Sequence, residues 1–558
     1  MFPTYANSFS ELFEGSQIWL YLGMSVANAI ILFYCSIKFL LVHQLGGYYW
    51  KRYFKWLKNK ETGYASRLML LCLLAFLFFC VLSMCFSAVV GEQIASYVGF
   101  ASYLLFAIAY ISTEKSVNAK VPLKKTRRLV RLCITYVIVL IALTFGLITL
   151  LNYIAFSIGD EVVGILRYSL LCLLPITIPY VLFVAYCINE PFEWFVRTHY
   201  VNKATRKLKT SQVLKIGITG SYGKTSVKEI LRTILSQKYR VLATPESYNT
   251  PLGIAITVNK LDSTHDVFIA EMGARGKGDI KKLADMVHPK YGVLISVNSQ
   301  HLESFGTEEV IKETKYELIE SLPPDGTAFF STDNKIAMEL SGRFDGEKIK
   351  AGITDENNTV TATDIKTDAH GTSFKLVFDG EKTARCTTVL LGKHSISNIC
   401  IAASVAYKMG MSPQEIAKGV NRIKSIGHRL ELLPNNKNIV IIDDSYNSNV
   451  EGAEAAMEVL DMFGGRKIIV TPGLVELGVQ EGLANFELGK LMAKHADMVI
   501  VIGKHNAVML INGLVEGGMS KENIRFAKTL NKGNEELNAI MQKGDVVLFE
   551  NDLPDNYI

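Results

Sequence analysis

Residues 215–228, KIGITGSYGKTSVK, combine glycines, a lysine and a threonine at a spacing that suits phosphate chemistry. Backbone N–H groups of a glycine-rich turn can approach phosphate oxygens, a lysine adds positive charge, and a threonine hydroxyl can bind Mg²⁺. An apolar run precedes the glycines and a helix-forming run follows them, which predicts a strand, a phosphate loop and a helix. The predicted triphosphate-binding residues are Gly220, Ser221, Gly223, Lys224, Thr225 and Ser226.

One position departs from the usual pattern GxxxxGK[ST], because Ile218 stands where the first glycine is expected. From the loop alone, an ordinary glycine turn between a strand and a helix therefore stays open. Glu271 closes a second apolar run, DVFIAE, and the end of a buried strand is where an α/β sheet presents its ligands. A solvated carboxylate at a strand end is the alternative interpretation of Glu271.

The elements that must position these residues fall into two parts that divide near residue 190. The chain has 558 residues and a mean hydropathy of +0.22, which is high for a soluble enzyme in which 20% of the residues are charged. Five apolar stretches each reach the roughly 20 residues that a helix needs to cross a membrane. The predicted transmembrane helices are 18–42, 68–90, 94–112, 132–156 and 165–187.

Basic and non-basic loops alternate between these stretches, which orients the predicted membrane domain, residues 1–190. The loops around 51–67 and 114–131 are rich in Lys and Arg, whereas the tips near 91–93 and 159–161 are not. The excess of Lys and Arg in cytoplasmic loops predicts an N-terminus outside the cytoplasmic membrane and a cytoplasmic soluble part. The net charge of +6 is therefore explained by a membrane rather than by nucleic acid.

The predicted helices carry no charged pair at mid-membrane depth, which disfavours a transporter. They serve either as an anchor or as a surface that binds a lipid-linked substrate. A connector, 191–210, holds aromatic and basic residues and could lie on the anionic inner leaflet or form a simple solvated linker. Nine cysteines without a CxxC pair indicate neither a zinc site nor a disulfide framework.

Strands and helices alternate after residue 210, which predicts a parallel sheet with the nucleotide at the carboxyl ends of its strands. The central ATP-binding domain is assigned to 211–426 and a Rossmann-like C-terminal domain to 427–558. Residues 348–389 change to short alternating runs typical of an antiparallel flap, and helical periodicity returns at 397–409. The fold class is thus a helical transmembrane bundle followed by two α/β domains.

An ordered set of motifs in residues 211–530 resembles the bacterial Mur ligase family, and most of all its D-alanyl-D-alanine-adding branch. The motifs are TGSYGKTS, EMGARGKGDI, HLESFG, GKHSISN, GHRLE, DDSYNSN and TPGLVELG. The resemblance implies a P-loop domain and a reaction in which ATP activates a carboxylate as an acyl phosphate that an amine then attacks. It also implies ATP and two Mg²⁺ ions as cofactors.

The resemblance assigns roles to individual residues. Thr225, Glu271, His301 and Lys315 would bind magnesium, with Lys315 carbamylated, and Lys224, Lys315, His301 and Arg429 would form the catalytic set. Asn398, in one loop with His394, would contact adenine, while Arg429 and Asp444 would close over ATP through a hinge near 426–427. Tyr446 and Asn447 either position the amine or are turn residues. Lys312 is a second lysine near Lys315, so that assignment depends on the spacing from His301.

Two departures bear on the substrate. Membrane helices occupy the place of the domain that grips a uridine nucleotide in soluble family members, and the C-terminal end differs from that of the D-alanyl-D-alanine-adding branch. The leading hypothesis is a membrane-bound amide ligase that joins an amino acid or dipeptide to a carboxylate on a polyprenyl-linked cell-wall or surface glycan. The alternatives are D-alanyl-D-alanine addition to a UDP-linked muramoyl peptide by an anchored enzyme, and a nucleotide-binding membrane scaffold without catalysis. The sequence leaves the oligomeric state open.

Overall fold

The structure is a computed structural model in which two compact units divide the chain between Val196 and Arg197. It describes residues 15–58, 70, 72–78, 80–81, 85, 108, 123–158, 170–246, 248–298, 305–368, 370–434, 438–446, 450–475, 477 and 480–551.

The first unit is helical. Its elements are α1 (Gly15–Leu45), α2 (Trp50–Lys58), α3 (Arg127–Ile158), a 3₁₀ turn (Leu170–Leu173) and the first part of α4 (Leu174–Thr210). Helices α1 and α3 pack through a buried apolar cluster that includes Leu32, Tyr136 and Leu140, and Asn28 donates a hydrogen bond to Thr144 across them at 3.2 Å. The cluster holds long apolar helices side by side.

Two helices among the described residues are long and apolar enough to cross a membrane, Tyr21–Leu45 and Arg127–Leu151. They correspond to the predicted spans 18–42 and 132–156. About half of the predicted span 68–90, and all of the predicted span 94–112 except residue 108, lie outside the described residues. The predicted span 165–187 falls partly on α4, which the same length and composition test does not select.

The predicted connector, 191–210, is the C-terminal part of α4, which runs without interruption to Thr210. Ala204 and Leu208 are buried against the second unit's own apolar residues, among them Ile254 and Leu283. The four-residue spacing of these two side chains puts them on one helical face, while Lys203 and Lys209 stay exposed. The basic composition therefore belongs to the polar face of an amphipathic helix.

The second unit begins with the predicted parallel sheet, whose strand order is β2-β3-β1-β4-β5-β6-β7-β8-β9. The strands are β1 (Leu214–Thr219), β2 (Val241–Ala243), β3 (Val267–Glu271), β4 (Tyr291–Leu294), β5 (Thr327–Ser331), β6 (Glu347–Gly352), β7 (Val360–Asp368), β8 (Gly371–Phe378) and β9 (Lys382–Thr388). The helices are α5 (Lys224–Leu235), α6 (Pro251–Val258), α7 (Asp279–Val287), α8 (Glu308–Glu320), α9 (Lys335–Ser341), α10 (Lys393–Lys408) and α11 (Pro413–Val420).

Side chains of the inner strands pack into two different apolar cores, which the helices on the two faces of the sheet complete. Ile216 and Ile218 of β1 pack in one cluster with residues of α5 and α10, whereas Phe268 and Ala270 of β3 pack with residues of α6 and α7. Such continuous burial is expected for parallel strands covered by helices on both faces. The carboxyl ends of β1, β3 and β4 therefore meet at one edge of the sheet.

The predicted antiparallel flap forms the outer part of this same sheet. Strand β7 pairs in parallel with β6 at only two positions, Ala351 with Val360 and Gly352 with Thr361, before β8 and β9 continue antiparallel. A β-turn at Asp379 and Gly380, both with positive φ, joins β8 to β9.

The C-terminal part holds a second sheet of order β10-β11-β15-β12-β13-β14, parallel apart from the β10–β11 pair. Its strands are β10 (Glu431–Leu433), β11 (Val440–Asp444), β12 (Lys467–Thr471), β13 (Met498–Ile502), β14 (Ile524–Ala527) and β15 (Val546–Glu550). Its helices are α12 (Val450–Asp461), α13 (Glu481–His495), α14 (Ala507–Glu516) and α15 (Leu530–Ile540).

Candidate active site

The phosphate loop between β1 and α5 is fixed by the segment that follows β4. The Ser221 N–H donates to the Ser296 carbonyl at 2.8 Å, and the Tyr222 N–H donates to the Ser296 hydroxyl at 3.1 Å. In return, the Asn298 N–H donates to the Ser221 hydroxyl at 3.0 Å. The segment after β4 therefore fixes the shape of the loop, and N–H groups of a loop at a helix N-terminus can bind a phosphate.

Ile218 and Gly223 explain the unusual loop spacing. Ile218 is fully buried in β1, in register with Glu271 on one side and Val293 on the other, so it belongs to the core. Gly223 has φ of 78° and begins α5 without a side-chain cap. A methyl group there would lie 3.0 Å from Asn398 Oδ1. The glycine that the loop requires is therefore Gly223, and Asn398 lies directly above it.

Lys224 folds back over its own loop, where its ammonium donates to the carbonyls of Gly220 at 2.6 Å and Ser221 at 2.8 Å. Burial lowers the pKa of Lys224 to about 8; Glu271 opposes the shift and the positive charge of Arg429 adds to it. The cation thus already lies at the loop that would receive the phosphates.

Glu271 is buried and fully hydrogen-bonded at the carboxyl end of β3. Its Oε2 accepts from the Thr225 hydroxyl at 3.0 Å, and its Oε1 accepts from the Asn249 amide at 3.2 Å. Its exposure of 1% excludes the solvated alternative. A hydroxyl beside a carboxylate at a phosphate loop fits Mg²⁺, which binds proteins through one or two carboxylates and takes further ligands from phosphates.

Lys315 is the inward lysine of α8. It is 3% exposed, its ammonium lies 5.8 Å from the Phe305 ring centre, and burial followed by the charge of Lys224 lowers its pKa to about 7. Lys312, in contrast, pairs with Glu339 at 2.7 Å near the surface. The helix therefore separates the two lysines that the sequence could not distinguish without His301, and a solvated position for Lys315 is excluded.

His301 and Asn447 lie outside the described residues, so their assignments stay predictions. Within the described ranges, no cluster of three or more His, Cys, Asp or Glu side chains could hold a metal ion by itself. A magnesium site here would accordingly combine Thr225 and Glu271 with oxygens of the nucleotide.

Arg429 reaches the loop from the start of the C-terminal part. Its guanidinium lies 4.5 Å from the Tyr446 ring centre, and its charge acts on both Lys224 and His394. The flanking residues His428 and Leu430 have positive φ values of 60° and 46°. The turn that carries Arg429 is therefore tightly constrained, close to the predicted hinge.

The backbone of this turn is held from β11. The Leu430 N–H donates to Asp444 Oδ1 at 3.1 Å, and the His428 ring lies 2.7 Å from Asp443 Oδ2. Burial raises the pKa of Asp444 to about 6, and the hydrogen bond from Leu430 partly opposes this shift. Asp444 thus supports the Arg429 turn in this conformation.

The prediction that His394 and Asn398 share a loop is wrong, because both lie in the first turns of α10. The helix begins four residues before the predicted 397, since Gly392 has φ of 83° and serves as its N-cap. Burial lowers the pKa of His394 to about 4, so its imidazole is neutral beside the Arg429 cation.

Two family profiles match the soluble part of the chain. The profile of the Mur ligase middle domain matches residues 218–406, and that of the Mur ligase glutamate ligase domain matches residues 428–550. Together they cover more than half of the sequence. The chain belongs to the Mur ligase family. It is therefore an ATP-dependent ligase that forms a carbon–nitrogen bond, and a scaffold without catalysis is not supported.

This Mur ligase is similar to several curated ligases. The UDP-N-acetylmuramoyl-tripeptide--D-alanyl-D-alanine ligase of Escherichia coli K12 is 29% identical over 335 residues, which are 59% of this chain and 73% of the relative. The ligase of the same name from Bacillus subtilis 168 is 28% identical over 341 residues, which are 60% of this chain and 72% of the relative.

Solved structures share the fold. MurF ligase from Thermotoga maritima in complex with ADP is 26% identical with a TM-score of 0.58, and the match covers 64% of this chain and 80% of that one. MurF from Acinetobacter baumannii is 23% identical with a TM-score of 0.59, and the match covers 65% of this chain and 78% of that one.

The C-terminal domain of this Mur ligase contacts the phosphate loop region through α12. The Asn298 amide donates to Glu451, and Lys393 lies 3.8 Å from Glu458. Leu391, which precedes α10, is buried in the apolar cluster of the C-terminal domain. The two domains therefore meet beside the loop that holds Lys224.

Sequence reasoning missed Asn249 and Lys228, which both contact Glu271. Asn249 lies in a segment without periodicity, and nothing in that segment indicates a carboxylate partner. Lys228 offered one signal, since it follows Lys224 by four residues and so lies on the same helical face.

Replacing Gly223 with alanine is expected to weaken ATP binding by at least about tenfold, because the methyl group meets Asn398 and Ile295 at 3.0 and 3.2 Å. Both this variant and Gly410→Ala place a side chain at positive φ, which costs about 1–2 kcal/mol. Gly410 has φ of 80° and open space around it, so it is the matched control. The measurement is calorimetric titration with ATP. Equal ATP affinity in the two variants would contradict the steric argument.

Proposed function

We propose that this Mur ligase adds a D-alanyl-D-alanine dipeptide to a UDP-linked muramoyl tripeptide in peptidoglycan synthesis. The support is the shared name of the relatives described above, whose alignments cover 59% and 60% of this chain. The observation that carries the proposal is the convergence of Lys224, the Thr225–Glu271 pair, Lys315 and Arg429 around one phosphate loop.

The proposed reaction begins when the substrate carboxylate attacks the terminal phosphorus of ATP, which breaks the bond to ADP and leaves an acyl phosphate. The dipeptide amine then attacks the acyl carbon and expels phosphate, giving an amide. Charge accumulates on the transferred phosphoryl group, so cations near it lower the barrier. Lys224 and Arg429 would supply that charge, and magnesium held by Thr225 and Glu271 would neutralise the phosphate oxygens.

A lipid-linked acceptor is the second candidate. One observation favours it: the family profiles and the apolar helices occupy different parts of the chain, and the first profile begins only at residue 218. The curated relatives, by their names, act on a UDP-linked substrate. The UDP-linked acceptor therefore takes precedence over the polyprenyl-linked one that the sequence favoured.

We further propose that the helical unit anchors the enzyme in the cytoplasmic membrane. On α3, Val130, Ile134 and Ile138 recur every four residues and are about half exposed, so they form an apolar stripe on the outer face. Such a stripe is costly in water and is satisfied by lipid. The neighbouring α2, WKRYFKWLK, buries Tyr53 and Leu57 and exposes basic residues, as expected at a cytoplasmic headgroup layer.

Carbamylation of Lys315 is the proposed source of an anion at its position. A neutral amine attacks CO₂ and releases one proton, whereas an ammonium ion cannot react. Because Lys315 is buried and its pKa is lowered to about 7, a large fraction of its amine is neutral near pH 7. The carbamate would turn a buried cation into a ligand for the second metal ion.

The substrate proposal predicts ADP release that requires both D-alanyl-D-alanine and a UDP-linked muramoyl tripeptide. The purified full-length enzyme, kept in detergent, would be supplied with ATP, the dipeptide and either the UDP-linked or a polyprenyl-linked acceptor, and the product identified by mass. Glu271→Gln serves as the inactive control. Turnover confined to the lipid-linked acceptor would overturn the first candidate in favour of the second.

The carbamate is expected to appear as a ¹³C resonance when the enzyme is equilibrated with labelled CO₂. At constant dissolved CO₂ the signal should rise between pH 6 and pH 8, because the amine loses its proton through about pH 7. Lys315→Ala should lose the resonance, and Lys312→Ala should keep it. Persistence of the signal in Lys315→Ala would assign the carbamate elsewhere.

The membrane proposal predicts that alkaline carbonate does not extract the protein from cell membranes. It also predicts that trypsin digests the catalytic domains in inverted vesicles but spares them in intact spheroplasts, since the basic loops are assigned to the cytoplasm. A periplasmic protein monitors spheroplast integrity. Extraction by carbonate, or digestion in intact spheroplasts, would refute the anchor or its orientation respectively.

A further inference from the structure

Lys228 is a completely buried cation with an acidic partner in the candidate active site. Its ammonium lies 3.2 Å from Glu271 Oε2 and 3.6 Å from Glu229 Oε1, and it also donates to the backbone carbonyl of Glu246. Its exposure is 0%. A buried ammonium keeps its partners, because leaving it unpaired in the interior is strongly unfavourable.

The contacts of Glu271 show what this lysine does to the carboxylate. Oε2 is shared by the Lys228 ammonium and the Thr225 hydroxyl, while Oε1 accepts a hydrogen bond from the neutral amide of Asn249. The backbone N–H of Glu271 is also fixed, since it donates to the Thr244 hydroxyl at 3.1 Å. Three side chains therefore hold the Glu271 carboxylate in this orientation, and the Lys228 ammonium balances its negative charge.

A divalent cation that approaches this carboxylate alone meets a nearly neutral pair and the repulsion of an ammonium ion. Lys224 adds a second positive charge at the same loop, within reach of Glu271. The phosphates of ATP bring the negative charge that offsets both lysines. The balance of charge at the site therefore changes sign only when the nucleotide is present.

We propose that Lys228 is a positioning residue that neutralises Glu271 and so prevents magnesium from binding before the nucleotide. Metal and nucleotide would then enter together, with Glu271 held in one orientation by Lys228 throughout. The inference rests on the proposed role of Glu271 as a magnesium ligand.

The test measures Mn²⁺ binding to the full-length protein by electron paramagnetic resonance, with and without a non-hydrolysable ATP analogue. Without nucleotide, the Lys228→Met variant should bind Mn²⁺ about tenfold to hundredfold more tightly than the wild-type protein, because a nearby positive charge is removed. With the analogue, the difference should shrink to about threefold or less, since the phosphates then dominate the local charge.

Arg232→Gln is the matched control. Arg232 lies on the same helix, one turn after Lys228, and pairs with Glu229 at the surface. Its removal deletes the same charge without touching Glu271, so Mn²⁺ binding should stay unchanged. Lys228→Gln provides a second uncharged variant, and circular dichroism reports whether each variant is folded. Equal Mn²⁺ affinity without nucleotide in a folded Lys228 variant and the unchanged protein would overturn the proposal.

If both Lys228 variants fail to fold, the melting temperature of the wild-type protein provides an independent measurement. Mg²⁺ alone at millimolar concentration should leave its melting temperature unchanged, whereas Mg²⁺ with the analogue should raise it beyond the analogue alone. Stabilisation by Mg²⁺ alone would overturn the inference. Glu271→Gln tests the proposed metal site separately from the proposed role of Lys228. If this variant still binds Mn²⁺ in the presence of the analogue, Glu271 is not a ligand and the proposed metal site itself fails.

Discussion

The arrangement of the candidate active site depends on one buried interaction, the contact between the Glu271 carboxylate and the Lys228 ammonium. It joins the end of β3 to α5, and through the Glu246 carbonyl it also joins the loop that follows β2. An isolated charge of either sign would be expensive at this depth, so the two must be placed together. Because the Thr225 hydroxyl donates a hydrogen bond to the same carboxylate oxygen, this pair also fixes the position of the phosphate loop.

Much of the soluble fold could be predicted from local pattern. Short buried apolar runs alternate with helical periodicity, and the alternation of strands and helices predicted after residue 210 is present from β1 to β5. The phosphate loop was predictable because glycine, lysine and threonine each have a separate physical reason to be there. The contribution of Lys228 was not, because a lysine on a helix is usually solvated and only the tertiary fold buries this one.

The segment before β1 shows why composition misleads where periodicity does not. Residues 191–210 are rich in basic side chains, which is typical of a linker or a membrane-surface segment. Yet Ala204 and Leu208 recur at helical spacing and are buried among Ile254, Leu283 and their neighbours, so the segment continues a helix into the catalytic unit. The two buried apolar residues on one face determine where this part of the helix packs, whereas the charged residues, although more numerous, lie on the solvent-exposed face.

The C-terminal domain approaches the phosphate loop through residues under strain. His428 and Leu430 adopt left-handed conformations that cost non-glycine residues about 1–2 kcal/mol each, and they persist because hydrogen bonds from β11 over-determine the turn. Asp443 and Asp444 accept those bonds, so they fix the residues on either side of Arg429. It follows that Asp444 acts on the position of Arg429 in this conformation, and that the turn GHRLE and the pair Asp443 and Asp444 together place a single guanidinium.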